Sequence, residues 1–325
     1  MSKISNISKA EDLVTTLDQT RKGFVDAALE KNRRATPYVE NAKTLRNFAL
    51  KANTPYDLLN IPQIRKGLLT ASGLSDKSFK YFSEDDKTEA IMELIRNFLE
   101  PAGSSFVDEL VYRFLLISGD SLGGAMRNIV GVIAQKRFVE HFLSALNMRE
   151  LAYSIMLKAD KKKGYKWRAM QYNDAYELAD EIAAIKWEYG NRQKVLFFNA
   201  KITLVDKNVD ICLYDCTKKP FNSKTAKEYN ECAIMFGELK GGIDPAGADE
   251  HWKTGKSALD RIRNKFSSKG YKIHTSFIAA AIEKSMATEI FNLVSNNTLS
   301  YAANLTYDNQ LSDYCEWIIT LEKKR

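Results

Sequence analysis

Cysteine is scarce in this 325-residue chain, four in all, and none of Cys212, Cys216, Cys232 and Cys315 belongs to a C-x-x-C pair. That spacing argues against a zinc site, and in a reducing compartment the four serve as small buried hydrophobes. Long apolar runs are missing too. No stretch approaches the roughly 20 residues that a membrane-crossing helix needs, and the opening MSKISNISKAEDL has no apolar signal core, so a cytoplasmic protein with no membrane partner is expected. There is no P-loop, no G-x-G-x-x-G and no zinc finger. ATP-driven and nicotinamide chemistry therefore have no support, and no nucleotide cofactor is expected. Internal repeats and long low-complexity linkers are absent as well.

What is present is an ordinary folding composition, 45% hydrophobic and 27% charged, which can bury a core and does not describe a disordered chain. The length fits one large domain or two ordinary ones. A net charge of +7 suits a folded protein with one basic surface for a polyanion, although solubility charge alone would look the same.

The first half reads as helical. Apolar residues at Leu13, Leu17, Phe24 and Ala28 follow helical spacing over 10–31, and 38–52, 87–98 and 104–117 are similar, with Pro37, Pro55, Pro62 and Pro101 as punctuation. A long helix is expected over 121–145, where Gly123, Gly124, Gly131 and Ala134 would let another element come close, and an acidic-faced helix over 170–189. Then the texture changes. KVLFFN, KITLV, VDICLYDC and ECAIMFGELK are short and rich in β-branched and aromatic residues. A hairpin turn is expected at 206–208, helices at 249–267 and 284–295, and strands in YKIHTSFIAAAI and DYCEWIITLEK. Strands alternating with helices predict an α/β core: a helical region over 1–100 and an α/β domain over 101–325, with the 104–145 helices packed on the sheet.

The chemistry centres on ECAIMFGELKGG. Residues i and i+2 of a strand share a face, so Glu238 and Lys240 project side by side at the end of an otherwise apolar strand. Asp210 opens the preceding strand. If the two strands are neighbours, two carboxylates and one lysine converge. Two carboxylates, with the backbone carbonyl of Leu239, suit Mg²⁺, a hard ion that takes oxygen ligands and keeps some of its waters. Such an ion activates water and neutralises charge on a phosphorus centre, and a lysine steadies the hydroxide or the phosphate. A bare D/E-x-K is a weak signal. Three others, at Asp85-Asp86-Lys87, Asp160-Lys161-Lys162 and Glu322-Lys323-Lys324, lie in hydrophilic runs and read as solvated surface. For Glu238-Leu239-Lys240 the competing reading is a strand-end salt bridge.

Gly241 and Gly242 permit a sharp exit from the strand, and Asp244-Pro245 and Asp249 are both candidate helix starts. His251 falls 11 residues after Lys240, where a neutral imidazole could take a proton from attacking water; the alternative is an exposed helix histidine. His141 and His274 read as structural. Basic clusters with aromatics recur at Lys77 and Lys80, at 161–168 and at Arg261, Arg263 and Lys265, each a source of phosphate contacts or simply a solvated face.

An acidic residue opening one strand and E-L-K closing another resembles the PD-(D/E)xK nuclease core. More specifically, SKAEDLVTTLDQTRKGFVDAALEKN, GLSDKS, VDICLYD and GELKGGIDPAGADEHW, with the overall length, resemble the AvaI/BsoBI-type restriction endonucleases over most of the chain. The resemblance implies a mixed sheet flanked by helices, with an added N-terminal helical region that embraces DNA, in a prokaryotic cytoplasmic enzyme. It implies a homodimer that binds double-stranded DNA, reads 5′-CYCGRG-3′ and cuts after the first C to leave a four-base 5′ extension. It assigns catalysis to Asp210, Glu238 and Lys240, with His251 as the candidate base, and base contacts to Asp244 and to Lys77 or Lys80. Lys207 is a weaker DNA-contact candidate. Val209 stands where the generic motif often has proline. Two other readings remain: a structure-specific or repair nuclease on the same core, and a DNA-binding protein that does not cut.

Overall fold

The computed structural model describes residues 6–162 and 164–324. Lys163 of the 161–168 basic cluster and the first five residues of the opening segment lie outside the described residues. The chain divides into two compact units, residues 25–128 and residues 1–24 with 129–325; a division at residue 100 would fall inside the first of them.

The unit of residues 25–128 is helical. It contains most of α1 (Leu17–Ala49), then α2 (Arg65–Ala71) and α3 (Glu84–Leu94), and the first half of α4 (Phe106–Met148). Its core joins Leu45 and Ala49 to Leu68, Ile91, Leu94 and Leu110. At the start of α3 the Ser83 hydroxyl accepts from the Asp86 amide and the Asp86 carboxylate accepts from the Ser83 amide, which satisfies two otherwise orphan donors. Pro37 does not punctuate the chain. It lies inside α1, where it removes one backbone hydrogen bond, and burial of Ala42, Leu45 and Ala49 beyond it carries the helix on. The segments 104–117 and 121–145 likewise form one helix, α4, of 43 residues.

The other unit is built on a sheet. Its strands are β1 (Tyr153–Leu157), β2 (Arg168–Ala169), β3 (Ile182–Tyr189), β4 (Arg192–Ile202), β5 (Lys207–Asp215), β6 (Ala233–Lys240), β7 (His274–Ala279) and β8 (Tyr301–Asn304). Among the described residues they form one sheet in the order β2-β1-β3-β4-β5-β6-β7-β8. Pairing is antiparallel from β2 through β6 and parallel from β6 through β8. The helices of this part of the chain are α5 (Lys158–Lys162), α6 (Tyr172–Glu177), α7 (Thr225–Glu228), α8 (Pro245–Ser267), α9 (Lys284–Ser295) and α10 (Asp308–Thr320).

Period-2 alternation sends the strand side chains to two cores. Phe197, Cys212, Phe236 and Phe277 meet Trp252, Leu259 and Phe266 of α8 and Met286 and Ile290 of α9. Their neighbours Phe198, Leu213, Met235 and Ile278 meet Phe138 and Phe142 of α4 and Leu311, Tyr314 and Ile318 of α10. The result is a mixed α/β fold with helices on both faces of the sheet. All four cysteines are buried and free. Among the described residues no helix is long and apolar enough to cross a membrane.

Several local expectations are corrected. Only Tyr172–Glu177 of the 170–189 segment is helical, and Ile182–Tyr189 is a buried strand. KVLFFN and KITLV belong mainly to one long strand, β4, and the turn lies at 203–206, ahead of Lys207 and Asn208, which are already in β5. The DYCEWIITLEK segment is helical through Thr320. Asp160, read as solvated, is buried and paired with Arg168 at 2.8 Å.

Candidate active site

β5 and β6 are neighbours, as the convergence of Asp210 with Glu238 requires. Their ladder is regular at Ile211↔Gly237 and Cys212↔Phe236. Toward the end of β6, the side chain of Asp210 takes up the edge: its Oδ2 accepts the Leu239 amide at 2.9 Å. Glu238 and Lys240 follow on the face that β6 turns toward α8. Lys240 Nζ donates to Glu238 Oε2 at 2.6 Å and lies 3.6 Å from Asp210 Oδ2. On the other edge of β6 the Lys240 carbonyl accepts the Ala280 amide at 2.9 Å, so the backbone carrying the ammonium is tied to the strand beyond.

The electrostatics of this trio are unbalanced. Glu238 is only 6% exposed. Burial, reinforced by the charge of Asp210, pushes its carboxyl from the usual 4.5 up to about 7 in spite of the lysine. Burial pulls the Lys240 ammonium down, but the charges of Glu238 and Asp210 outweigh it and hold the group above the ordinary lysine value. Two carboxylates thus share one cation, and the centre is one positive charge short when both are ionised. A divalent cation fits that deficit. Among the described residues no group of three or more His, Cys, Asp or Glu gathers to hold a metal. The centre supplies two carboxylates and leaves other positions to backbone oxygen, water and substrate, a donor set that suits an ion which keeps part of its hydration shell.

The trio opens into a cleft of about 250 Å³ lined by Lys207, Asn208, Val209, Asp210, Glu238 and Lys240 on the strand side and Thr254, Ala258, Arg261 and Ile262 on α8. Lys207 is thus brought to the trio. The loop after β6 is closely braced. A Cβ on Gly241 would come within 2.6 Å of the Val130 carbonyl oxygen and of Ala134 Cβ in α4, so the close approach foreseen for α4 is made at Ala134, by the bare backbone of Gly241. Among the described residues, no atom beyond the helix's own backbone and the chain neighbours lies within 4 Å of the Cβ positions of Gly123, Gly124 or Gly131.

Asp244 is the N-cap of α8, its carboxylate accepting the Ala246 amide at 3.0 Å, with Pro245 at the favoured first position. His251 is exposed on α8, one turn before Thr254, and its Nε2 faces the loop: Cβ atoms on Gly242 and Gly247 would stand 3.4 and 3.6 Å from it. It does not line the cleft. Lys77 and Lys80 belong to the helical unit and are exposed, Lys80 lying over the Tyr81 ring at 4.8 Å. His141 is 3.2 Å from Asp308, and His274 bridges Ser300 and the Glu322 carbonyl. Of the helix-wall residues, Arg261 is foreseen from sequence only as part of a basic cluster, and Thr254 and Ala258 not at all. Their spacing of four and three on one helix was the available signal, and it has meaning only once α8 is known to pack beside β5 and β6.

Known proteins resemble this chain over nearly its whole length. The chain matches the family described as restriction endonuclease BsobI over residues 4–321. It is 47% identical over 317 residues to the type II restriction enzyme BsoBI of Geobacillus stearothermophilus, covering 98% of each chain. It is 45% identical over 316 residues to the type II restriction enzyme AvaI of Nostoc sp., and equally to AvaI of Anabaena variabilis, covering 97% of this chain and 98% of the relative. A match over nearly the whole length, on a chain that gathers two acids and a lysine at one strand end, means that this protein belongs to the BsobI restriction endonuclease family.

Proposed function

We propose that this chain, a type II restriction endonuclease by family, cuts double-stranded DNA at 5′-CYCGRG-3′ after the first C, depends on Mg²⁺ and acts as a homodimer. The observation that carries the chemistry is the trio itself: a buried Glu238, Asp210 beside it and Lys240 between them at 2.6 and 3.6 Å, at the floor of an open cleft. This reading makes the sheet a PD-(D/E)xK core, residues 101–325 the catalytic domain and residues 1–100 a helical region that embraces DNA.

Asp210, Glu238 and the Leu239 carbonyl would hold the ion, which when bound lowers the pKa of water and neutralises charge at the phosphorus. Glu238 is then held ionised in a buried position that otherwise favours its neutral form. Lys240 keeps its proton throughout, and its compact charge steadies the oxygen that attacks or the phosphate that is attacked. His251, on the far side of the Gly241-Gly242 exit, accepts the proton that the attacking water gives up. Asp244 and Lys77 or Lys80 contact bases, since a carboxylate accepts from cytosine N4 and an ammonium donates to purine N7, and Lys207 contacts the backbone. A near-palindromic site calls for a two-fold protein.

The test is digestion of a DNA of known sequence with Mg²⁺, with a chelator control, and mapping of both ends of each fragment. Discrete ends at 5′-CYCGRG-3′ support the reading. Cutting only at junctions or lesions would replace it with a structure-specific or repair nuclease, and tight binding without cutting would make the trio a strand-end salt bridge.

A further inference from the structure

The cations of α8 are not equivalent. Lys253 is paired with Asp249 at 2.5 Å and Lys256 with Glu289 at 2.5 Å, while Arg263 is paired with Asp260 and also donates to the Thr298 carbonyl at 3.0 Å. Arg261 is different. Like Lys265, it is exposed, and among the described residues its guanidinium makes no ion pair and no hydrogen bond. It is also the α8 cation that lines the cleft, one face of the helix presenting Thr254, Ala258 and Arg261 toward Asp210, Glu238 and Lys240. Across the cleft stands Lys207, whose neighbour Asp206 is engaged by Lys201 at 3.0 Å. A cleft with an anionic floor thus has a cation on each wall, and the helix wall supplies the residue whose planar fork matches two phosphate oxygens.

We propose that Arg261 grips a backbone phosphate of the strand being cut and, opposite Lys207, holds that strand over the two carboxylates. The proposal rests on the nuclease reading above and extends it to a residue of the helix wall. The anionic floor repels phosphate until it is neutralised, so a strand that lies there needs attraction from the rim. Arg261 is placed to supply it. The alternative is an arginine that merely solvates the surface of α8.

The experiment measures binding of a duplex carrying the cognate site, without added metal, across a range of salt concentrations, for wild type, Arg261→Ala, Arg261→Lys and, as a control on the same helix, Lys253→Ala. Loss of one phosphate contact lowers the slope of log affinity against log salt by about 0.9 per copy engaged. Arg261→Ala is expected to show that loss, Arg261→Lys to recover most of the slope, and Lys253→Ala to keep it. Duplexes with single neutral methylphosphonates locate the contact: at one position near the cut, wild type loses affinity and Arg261→Ala does not. Unchanged slope in Arg261→Ala, or an equal loss in Lys253→Ala, overturns the proposal while leaving cleavage by wild type, and the nuclease reading with it, intact. Failure of wild type to bind or cut DNA at all removes both.

Discussion

Replacing Glu238 by glutamine tests the charge deficit at the centre without any appeal to catalysis. The folded state raises this carboxyl from 4.5 to about 7. A raised acid favours folding while it stays protonated, so its contribution is complete below the unfolded value and is lost as pH climbs through the folded one. Above about pH 8, keeping Glu238 ionised in its buried place costs about 3 kcal/mol, an upper bound because the group is coupled to Lys240 and Asp210. Glutamine has the same shape and no charge. It gives up the 2.6 Å charge pair with Lys240, but the attraction of that lysine is already contained in the raised value of the glutamate, so what separates the two proteins with pH is the net penalty on ionised Glu238. Denaturant unfolding of both proteins, at about pH 5 and about pH 8.5 without metal, should therefore show wild type losing about 2–3 kcal/mol relative to the variant over that interval. Adding Mg²⁺ at the higher pH should return much of the difference to wild type and little to the variant, because a ligand that binds the native state stabilises it by mass action. A stability difference that stays flat between the two pH values would refute the reasoning, since Glu238 would then be ionised at no expense.

Asp210→Ala should abolish cleavage while DNA binding holds or tightens, because a carboxylate near phosphate is repulsive; single-turnover rates and a binding titration check both halves, and cleavage above a trace would remove Asp210 from the site. His251→Ala should slow single-turnover cleavage by about 10²–10⁴-fold, the range for a general base, with metal dependence unchanged; a wild-type rate returns His251 to an exposed helix residue. For Asp244, alanine would also remove the helix cap and so blur the result, whereas asparagine caps as well as aspartate. Asp244→Asn should keep the stability of α8 and weaken cognate over non-cognate preference by about 1–3 kcal/mol, read from cleavage of a panel of sites; equal slowing at every site with weaker Mg²⁺ dependence would place Asp244 in the catalytic centre instead.

The elements that position the site were legible because their patterns are unmixed. β6 is apolar up to Glu238, and α9 spans the 284–295 that its periodicity indicates. Where patterns mix, the local reading failed. Ala183 and Ala184 are good helix formers, and the acids from Asp174 to Glu181 extend the look of a helix, yet this part of the chain enters β3 because β1 and β4 pair with both of its edges and the two cores bury both of its faces. In such a strand packing outweighs propensity. The end of the chain erred the other way. Its aromatic and β-branched residues look like a strand, but Leu311, Tyr314, Cys315, Ile318 and Ile319 are buried at spacings of three and four, a helical period hidden when the segment is read from Asp313. Asp160 was misjudged for a different reason: its partner Arg168 arrives from β2, and a pairing of that kind is set by the fold.

The site sits where it does because β6 is the strand at which the sheet changes direction of pairing. β5 enters the sheet beside the end of β6, while β7 runs alongside β6 and leaves at the same end. The β5–β6 ladder reaches Gly237, and the backbone edge left on the β5 side is taken by a side chain, that of Asp210, at Leu239. The cleft opens between these strand ends and α8; rigidity around it comes from the opposite edge and the exit loop. Lys240 is bonded through its carbonyl to Ala280, and the Ala280 carbonyl accepts the Thr15 hydroxyl at 2.8 Å. Thr15 in turn accepts the Ile282 amide at 2.9 Å and the Asn304 side chain at 2.8 Å. Gly23 meets Ile243, where a Cβ would stand 2.4 Å from its side chain. Residues nearly three hundred positions apart in sequence thus brace the chain where it leaves β7, and Gly23 braces it where it leaves β6. This accounts for the described residues up to Phe24 grouping with the unit that carries the trio: side chains that act together do so only when held in place, and here the amino-terminal segment does part of the holding.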